Sequence, residues 1–205
     1  MTLICSHRVN AAADLGALDE KYGVEIDLRS HGEQIHLVHD PFVLGENFEE
    51  WLEAYHHAFI VLNVKEEGLE ERIIQILSQR GVSAWAFLDQ SFPFLVRTLR
   101  GRESRCMVRV SEYESIETAL SLPVRPDWVW LDSFLGGLPS AENIRRLHDH
   151  GFQIMVVSPE LQGRNLDVEM LGITNLFALA GVPIAGVCTK NPELWNSVSA
   201  PGRSA

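Results

Sequence analysis

The chain has 205 residues, with 17 basic and 28 acidic side chains for a net charge of −11, and is 46% hydrophobic. That length suits one domain with a sizeable core. The charge argues against a nucleic-acid or anionic-membrane surface as main partner, because such contacts need clustered Lys and Arg, though one phosphate in a local basic pocket stays compatible.

The first residues, Met1 to His7, lack the basic region and apolar run of a signal peptide, and no stretch approaches the ~20 apolar residues that span a bilayer. Cys5, Cys106 and Cys188 each lie in an apolar run and read as core thiols of a reducing compartment, so a cytoplasmic protein is expected. Short, nearly continuous apolar runs predict strands over 2–6, 24–28, 60–64, 84–88, 106–110, 128–131, 153–157 and 184–188. A turn at Gly32 and a second extended run follow the second strand. Apolar residues at three and four spacing predict helices over 10–22, 48–57, 69–80, 94–99, 113–120, 141–150 and 192–198. Ser140 is the expected N-cap of the sixth helix, and Gly81 and Gly151 are expected stops. The connection over 158–181 is the longest.

Eight strands alternating with helices predict a compact, parallel TIM (β/α)8 barrel, a single domain over 1–198 with a tail over 199–205. The competing open doubly wound sheet lacks its glycine-rich phosphate turn, which here reads His7-Arg8-Val9-Asn10.

Barrel active sites form at the C-terminal strand ends. There the second strand places Glu25, Asp27 and Arg29 on one face and Val24, Ile26 and Leu28 on the other. Two inward carboxylates two residues apart need a cation. A divalent ion with oxygen ligands, Mg²⁺ or Ca²⁺, would serve, and so would an ion-pair network drawing on Lys65, Arg29 or Arg109. His7 and His39 fall just beyond strand ends, where one could take a proton and the other give one. Asn63, Asp132, Ser158, Glu160 and Lys190 occupy the ends of later strands, and Asp132, Glu160 and Lys190 are candidate substrate contacts.

His7-Arg8, Glu25-x-Asp27, the Gly32 turn and His39-Asp40-Pro41 together resemble the signature of the glycerophosphodiester phosphodiesterase family, TIM barrels related to phosphatidylinositol-specific phospholipases C. Leu62-Asn63-Val64-Lys65, Gln90-Ser91-Phe92 and the segment over 184–192 resemble later motifs. The resemblance implies hydrolysis of a small glycerol phosphodiester, while charge and hydropathy separately lead us to expect no nucleic-acid partner and no membrane insertion. It implies His7 and His39 as acid–base pair, Glu25, Asp27 and Asn63 around a divalent metal, and Arg8 and Lys65 on the phosphate, with Arg109 a further phosphate-binding candidate.

The chain also departs from that pattern. Val9 replaces a glycine, Asn10-Ala11-Ala12-Ala13 stands where a Glu-Asn-Thr box is expected, and Asn63 replaces the third metal carboxylate, which weakens metal affinity. Lys190 replaces an acid, and the insertion usual between the second and third strands is absent. A second reading is therefore a degenerate barrel that binds a phosphorylated small molecule without cleaving it. A third is a different barrel enzyme using Lys65 for Schiff-base chemistry.

Overall fold

The structure, a computed structural model, describes residues 2–199; beyond Ser199, the expected tail lies outside them. In chain order the elements are β1 (Leu3–Ser6), α1 (Ala12–Ala17), β2 (Gly23–His31), β3 (Gln34–Leu37), β4 (Glu46–Asn47), α2 (Phe48–Trp51), β5 (Ile60–Val64), α3 (Glu70–Gln79), β6 (Trp85–Leu88) and α4 (Phe92–Arg100). Then follow β7 (Met107–Val110), α5 (Ile116–Leu120), β8 (Trp128–Leu131), α6 (Ala141–Asp149), β9 (Gln153–Val157), α7 (Leu166–Ala180), β10 (Gly186–Thr189) and α8 (Pro192–Ser199). The fold is mixed α/β, built on parallel-rich sheet. Contacts divide it into two compact units, Ser6–Cys106 and a second made of 107–199 with 2–5.

In the unit Ser6–Cys106 the strands lie in the order β4-β3-β2-β5-β6. β2, β5 and β6 run parallel, and β3 and β4 add antiparallel at the edge. Val24, Ile26 and Leu28 of β2 are fully buried, as are Ile60, Val61 and Leu62 of β5. Strands covered on both faces carry such near-continuous apolar runs. Parallel register sets Asp27 beside Asn63. Helix α3 buries Ile73, Ile76 and Leu77 on one face, and α4 buries Leu95 and Leu99 one turn apart.

The antiparallel edge begins at Gly32, whose φ of 63° suits the tight turn between β2 and β3. Between β3 and β4 the chain bulges outward over 38–45, exposing Phe42, Val43 and Leu44. Gly45 closes that loop against β3, so tightly that a Cβ there would stand 1.9 Å from the Leu37 carbonyl oxygen. Its own carbonyl meets His36 Nδ1 at 2.9 Å.

In the other unit the strands run β1-β10-β9-β8-β7, and β7, β8, β9 and β10 run parallel. Trp195 of α8 is buried and donates from Nε1 to Ser158 Oγ at 2.8 Å, tying that helix to the end of β9. Helix stops and caps follow expectation: Gly81 and Gly151 take φ of 69° and 88°, and Ser140 Oγ accepts the Asn143 N–H.

Several boundaries differ from those expected, for local reasons. The helix predicted over 10–22 covers only Ala12–Ala17, because Asn10 is drawn out of it to bond Asp27. The helix predicted over 48–57 ends as a short 3₁₀ turn, Leu52–Ala54. The last strand shifts to Gly186–Thr189. Helix α7 fills the long connection without a clean amphipathic stripe, since Val168, Leu171 and Leu179 are exposed while Ile173 and Phe177 are buried.

Candidate active site

Every group of the proposed first cluster lies within the unit Ser6–Cys106. Alternation along β2 turns Glu25 and Asp27 to one face, and both are buried despite their charge. Burying two carboxylates this close is tolerable only with compensating donors. The structure supplies them from two neighbouring segments, the turn after β1 and the end of β5.

The turn after β1 comes first. Arg8 takes a left-handed φ of 57°, sparsely populated for a residue with a Cβ, and its backbone N–H donates to Glu25 Oε2 at 2.9 Å. His7 Nε2 stands 3.8 Å from the same oxygen, and Arg8 Nε stands 3.8 Å from Asp27 Oδ2. Two residues on, Asn10 grips Asp27 twice, Nδ2 donating to Oδ2 at 2.9 Å and Oδ1 accepting the Asp27 backbone N–H at 2.9 Å.

From β5, Asn63 Nδ2 donates to Glu25 Oε1 at 2.9 Å. Just beyond that strand, Lys65 Nζ faces Asp27 Oδ1 at 3.1 Å, as an ion pair without hydrogen-bond alignment. On its other side Lys65 is 4.0 Å from Asp89 Oδ2, at the end of β6, where Asp89 holds a left-handed φ of 60°. Lys65 and the carboxylates of Glu66, Glu67, Glu70 and Asp89 line an acidic cavity of about 180 Å³.

His39 follows Val38, whose N–H donates to the Asp27 carbonyl at 2.9 Å. The His39 carbonyl accepts Arg29 Nε at 3.1 Å, and its ring Nδ1 meets Asp40 Oδ1 at 2.8 Å. That bond with His39, with the fields of His39, Arg8 and Arg29, holds the Asp40 carboxyl below its ordinary range. The pairing fixes the His39 ring by one nitrogen and leaves Nε2 for other chemistry.

Burial and the adjacent Asp27 charge push Glu25 up from 4.5 to about 7, against the opposing pull of Asn63, the Arg8 N–H and Lys65. The acid pair is thus not fully charged at neutral pH.

The oxygens expected to bind a divalent ion are already engaged. Three of the four carboxylate oxygens accept an N–H and the fourth faces an ammonium. Asn63 Oδ1 is buried without a hydrogen-bond partner, but its amide has turned its nitrogen toward Glu25. Each carboxylate oxygen keeps a further lone pair, but the Lys65 ammonium on Asp27 and the N–H that Asn63 turns to Glu25 place donors where a divalent ion needs ligand oxygens. The donor set as arranged does not fit a resident divalent ion.

The other expected residues lie in the second unit. Arg109 Nη1 donates to Asp132 Oδ2, while Asp132 Oδ1 accepts Gln162 Nε2 at 2.9 Å and the Ser133 N–H at 2.8 Å. Glu160 accepts Thr189 Oγ1 at 2.6 Å and the Lys190 N–H at 2.9 Å on one oxygen and the Ser158 hydroxyl on the other. Burial pushes its carboxyl up, but these donors outweigh burial and leave it below its ordinary value. Glu160 therefore ties β9 to β10, and the Lys190 side chain projects to solvent.

Sequence reasoning missed Asn10 and gave Asp89 no role. It also missed Glu112, whose carboxylate accepts the N–H groups of Phe134, Leu135 and Gly137 and the Ser133 hydroxyl. None of the three left a signal in the sequence, since each takes its role from partners brought near by the fold.

No protein-family model matches the sequence, and no curated protein does either. The fold is similar to that of solved structures. A glycerophosphodiester phosphodiesterase from Agrobacterium tumefaciens strain C58 superposes with a TM-score of 0.69 at 14% identity, over 98% of this chain and 100% of that one. A glycerophosphoryl diester phosphodiesterase from Parabacteroides distasonis superposes with a TM-score of 0.66 at 14% identity, over 100% and 89%. The chain therefore has the fold of those proteins.

Proposed function

We propose that this chain is a divergent glycerophosphodiester phosphodiesterase that cleaves a small phosphodiester to a phosphate monoester and an alcohol. The observation that carries the reading is the convergence of His7, Arg8 and Lys65 on the buried Glu25–Asp27 pair at the ends of β1, β2 and β5. Likeness of fold to phosphodiesterases over nearly the whole chain supports it. With it goes the closed eight-stranded barrel expected from the sequence, which the eight strands other than the β3–β4 hairpin support.

In this reading Arg8 and Lys65 hold the phosphate and offset the charge that grows on its oxygens in the transition state. One of His7 and His39 takes a proton from the attacking oxygen, and the other gives one to the leaving alkoxide. Asp40 holds the His39 ring for that transfer. His7→Ala and His39→Ala should each lower turnover of a glycerol phosphodiester by about 10²–10⁴-fold while circular dichroism stays unchanged. Full turnover by both variants overturns the proposal.

The second reading, capture without cleavage, is favoured by one observation: Asn63 stands where a third acid is expected, and it donates to Glu25. Failure of the parent protein to hydrolyse any phosphodiester that it binds would select this reading.

A further inference from the structure

Resting on the reading that the site takes a phosphate group, we propose that Glu25 and Asp27 anchor the site's own donors and are not ligands to a divalent ion, so that phosphate binding is independent of metal. A metal is one means of making paired buried acids tolerable, and the other is a set of protein donors fixed at each oxygen. This chain has a donor at three of the four oxygens and the Lys65 ammonium, as an ion pair, at the fourth, supplied by the turn after β1 and the end of β5.

The anchoring has a direct consequence for anions. An ammonium carries three donors and a guanidinium five. Asp27 engages one side of Lys65 and stands 3.8 Å from Arg8 Nε, so each cation keeps donors to spare. The Arg8 side chain is about half exposed and the Lys65 side chain keeps a small exposed part, so both are open to an incoming ligand. Held cations lose little side-chain entropy when the anion arrives, which is the advantage of preorganisation. Asn10 belongs to the same device, since its two bonds fix the Asp27 carboxylate and so the position at which Lys65 is held. Asn63 completes it by donating to Glu25, a contact that a carboxylate at position 63 could not make while ionised.

Calorimetric titration of the full chain with glycerol 3-phosphate, in excess EDTA and in excess Mg²⁺, tests the proposal. The two dissociation constants should agree within about threefold, and Mg²⁺ or Ca²⁺ alone should leave the melting temperature unchanged. Tightening by Mg²⁺ of about tenfold or more, equivalent to ~1.4 kcal/mol, overturns metal independence and leaves the phosphate reading standing. Absence of binding under both conditions overturns the phosphate reading itself, and the inference with it. Lys65→Met frees Asp27 Oδ1. It should weaken glycerol 3-phosphate binding by about tenfold or more and create a thermal shift with Ca²⁺ that the parent lacks. Lys65→Arg should keep anion binding and show no such shift. A Ca²⁺ shift already present in the parent and abolished by Asp27→Asn would refute the assignment even if Lys65→Met failed to fold.

Discussion

Asn10 holds Asp27 by both ends of its amide, donating to the carboxylate and accepting the backbone N–H of the same residue, each at 2.9 Å. The grip crosses from the turn after β1 to the middle of β2, so one side chain fixes both the aspartate's position and the path of the segment that carries His7 and Arg8.

Asn10→Ala removes both bonds and leaves a buried carboxylate oxygen without its N–H donor. Loss of a partner to a buried charged group costs about 1–3 kcal/mol, and the urea midpoint should fall accordingly at unchanged m-value. Asn10→Asp should be worse than Asn10→Ala at neutral pH, because it brings a like charge to Asp27 in place of a donor. An Asn10→Ala protein as stable as the parent would show that the amide bonds are incidental.

Glu25 gives stability a slope at mildly acid to neutral pH. Its folded value of about 7 lies above its ordinary 4.5, so between these values the folded chain keeps a proton that the unfolded chain has released. Stability from this group is therefore complete below about 4.5 and declines as pH rises to about 7, after which the loss is constant. Glu25→Gln keeps the shape, stays neutral and should flatten that slope, gaining on the parent as pH rises. Urea unfolding of both proteins across the interval measures it, and parallel slopes would contradict the assignment.

Glu112 acts with the opposite sign. Desolvation pushes its carboxyl up, but the N–H groups of Leu135, Glu112 itself, Gly137 and Phe134 outweigh this and bring it to about 2. The contribution is present above the ordinary 4.5 and is lost as pH falls from there toward 2. The donors belong to the segment after β8, so acidification should loosen 133–137 before the sheets. Faster amide exchange in that segment for Glu112→Gln at neutral pH, with the sheets still protected, is the expected outcome; uniform exchange would refute it.

What could be read in advance tracks how local the cause is. β5, β8 and β9 matched expectation because runs of three or four apolar residues within each strand carry their own signal. The acid pair on β2 was legible for the same reason, since alternation needs only β2 itself. Asn10 was not, because its role depends on a residue 17 positions away and an amide amid alanines carries no pattern. Nor was α7, whose exposed Val168, Leu171 and Leu179 erase the periodicity that marks an ordinary surface helix. The two-residue β4 escaped because its pairing with β3 is set by the tertiary fold of the loop between them. The engaged state of the carboxylates was likewise invisible: spacing predicts that two acids share a face, and three-dimensional neighbours decide what meets them.

Gly45 carries no chemistry, yet it sits at the foot of the loop that presents His39 and Asp40. Since even a methyl group there would overlap the Leu37 carbonyl, substitution would pry β4 from β3 and let the imidazole drift. Loss of function thus can begin at a codon that supplies no reactive side chain, through bulk alone, with all the reactive groups still spelled out in the gene.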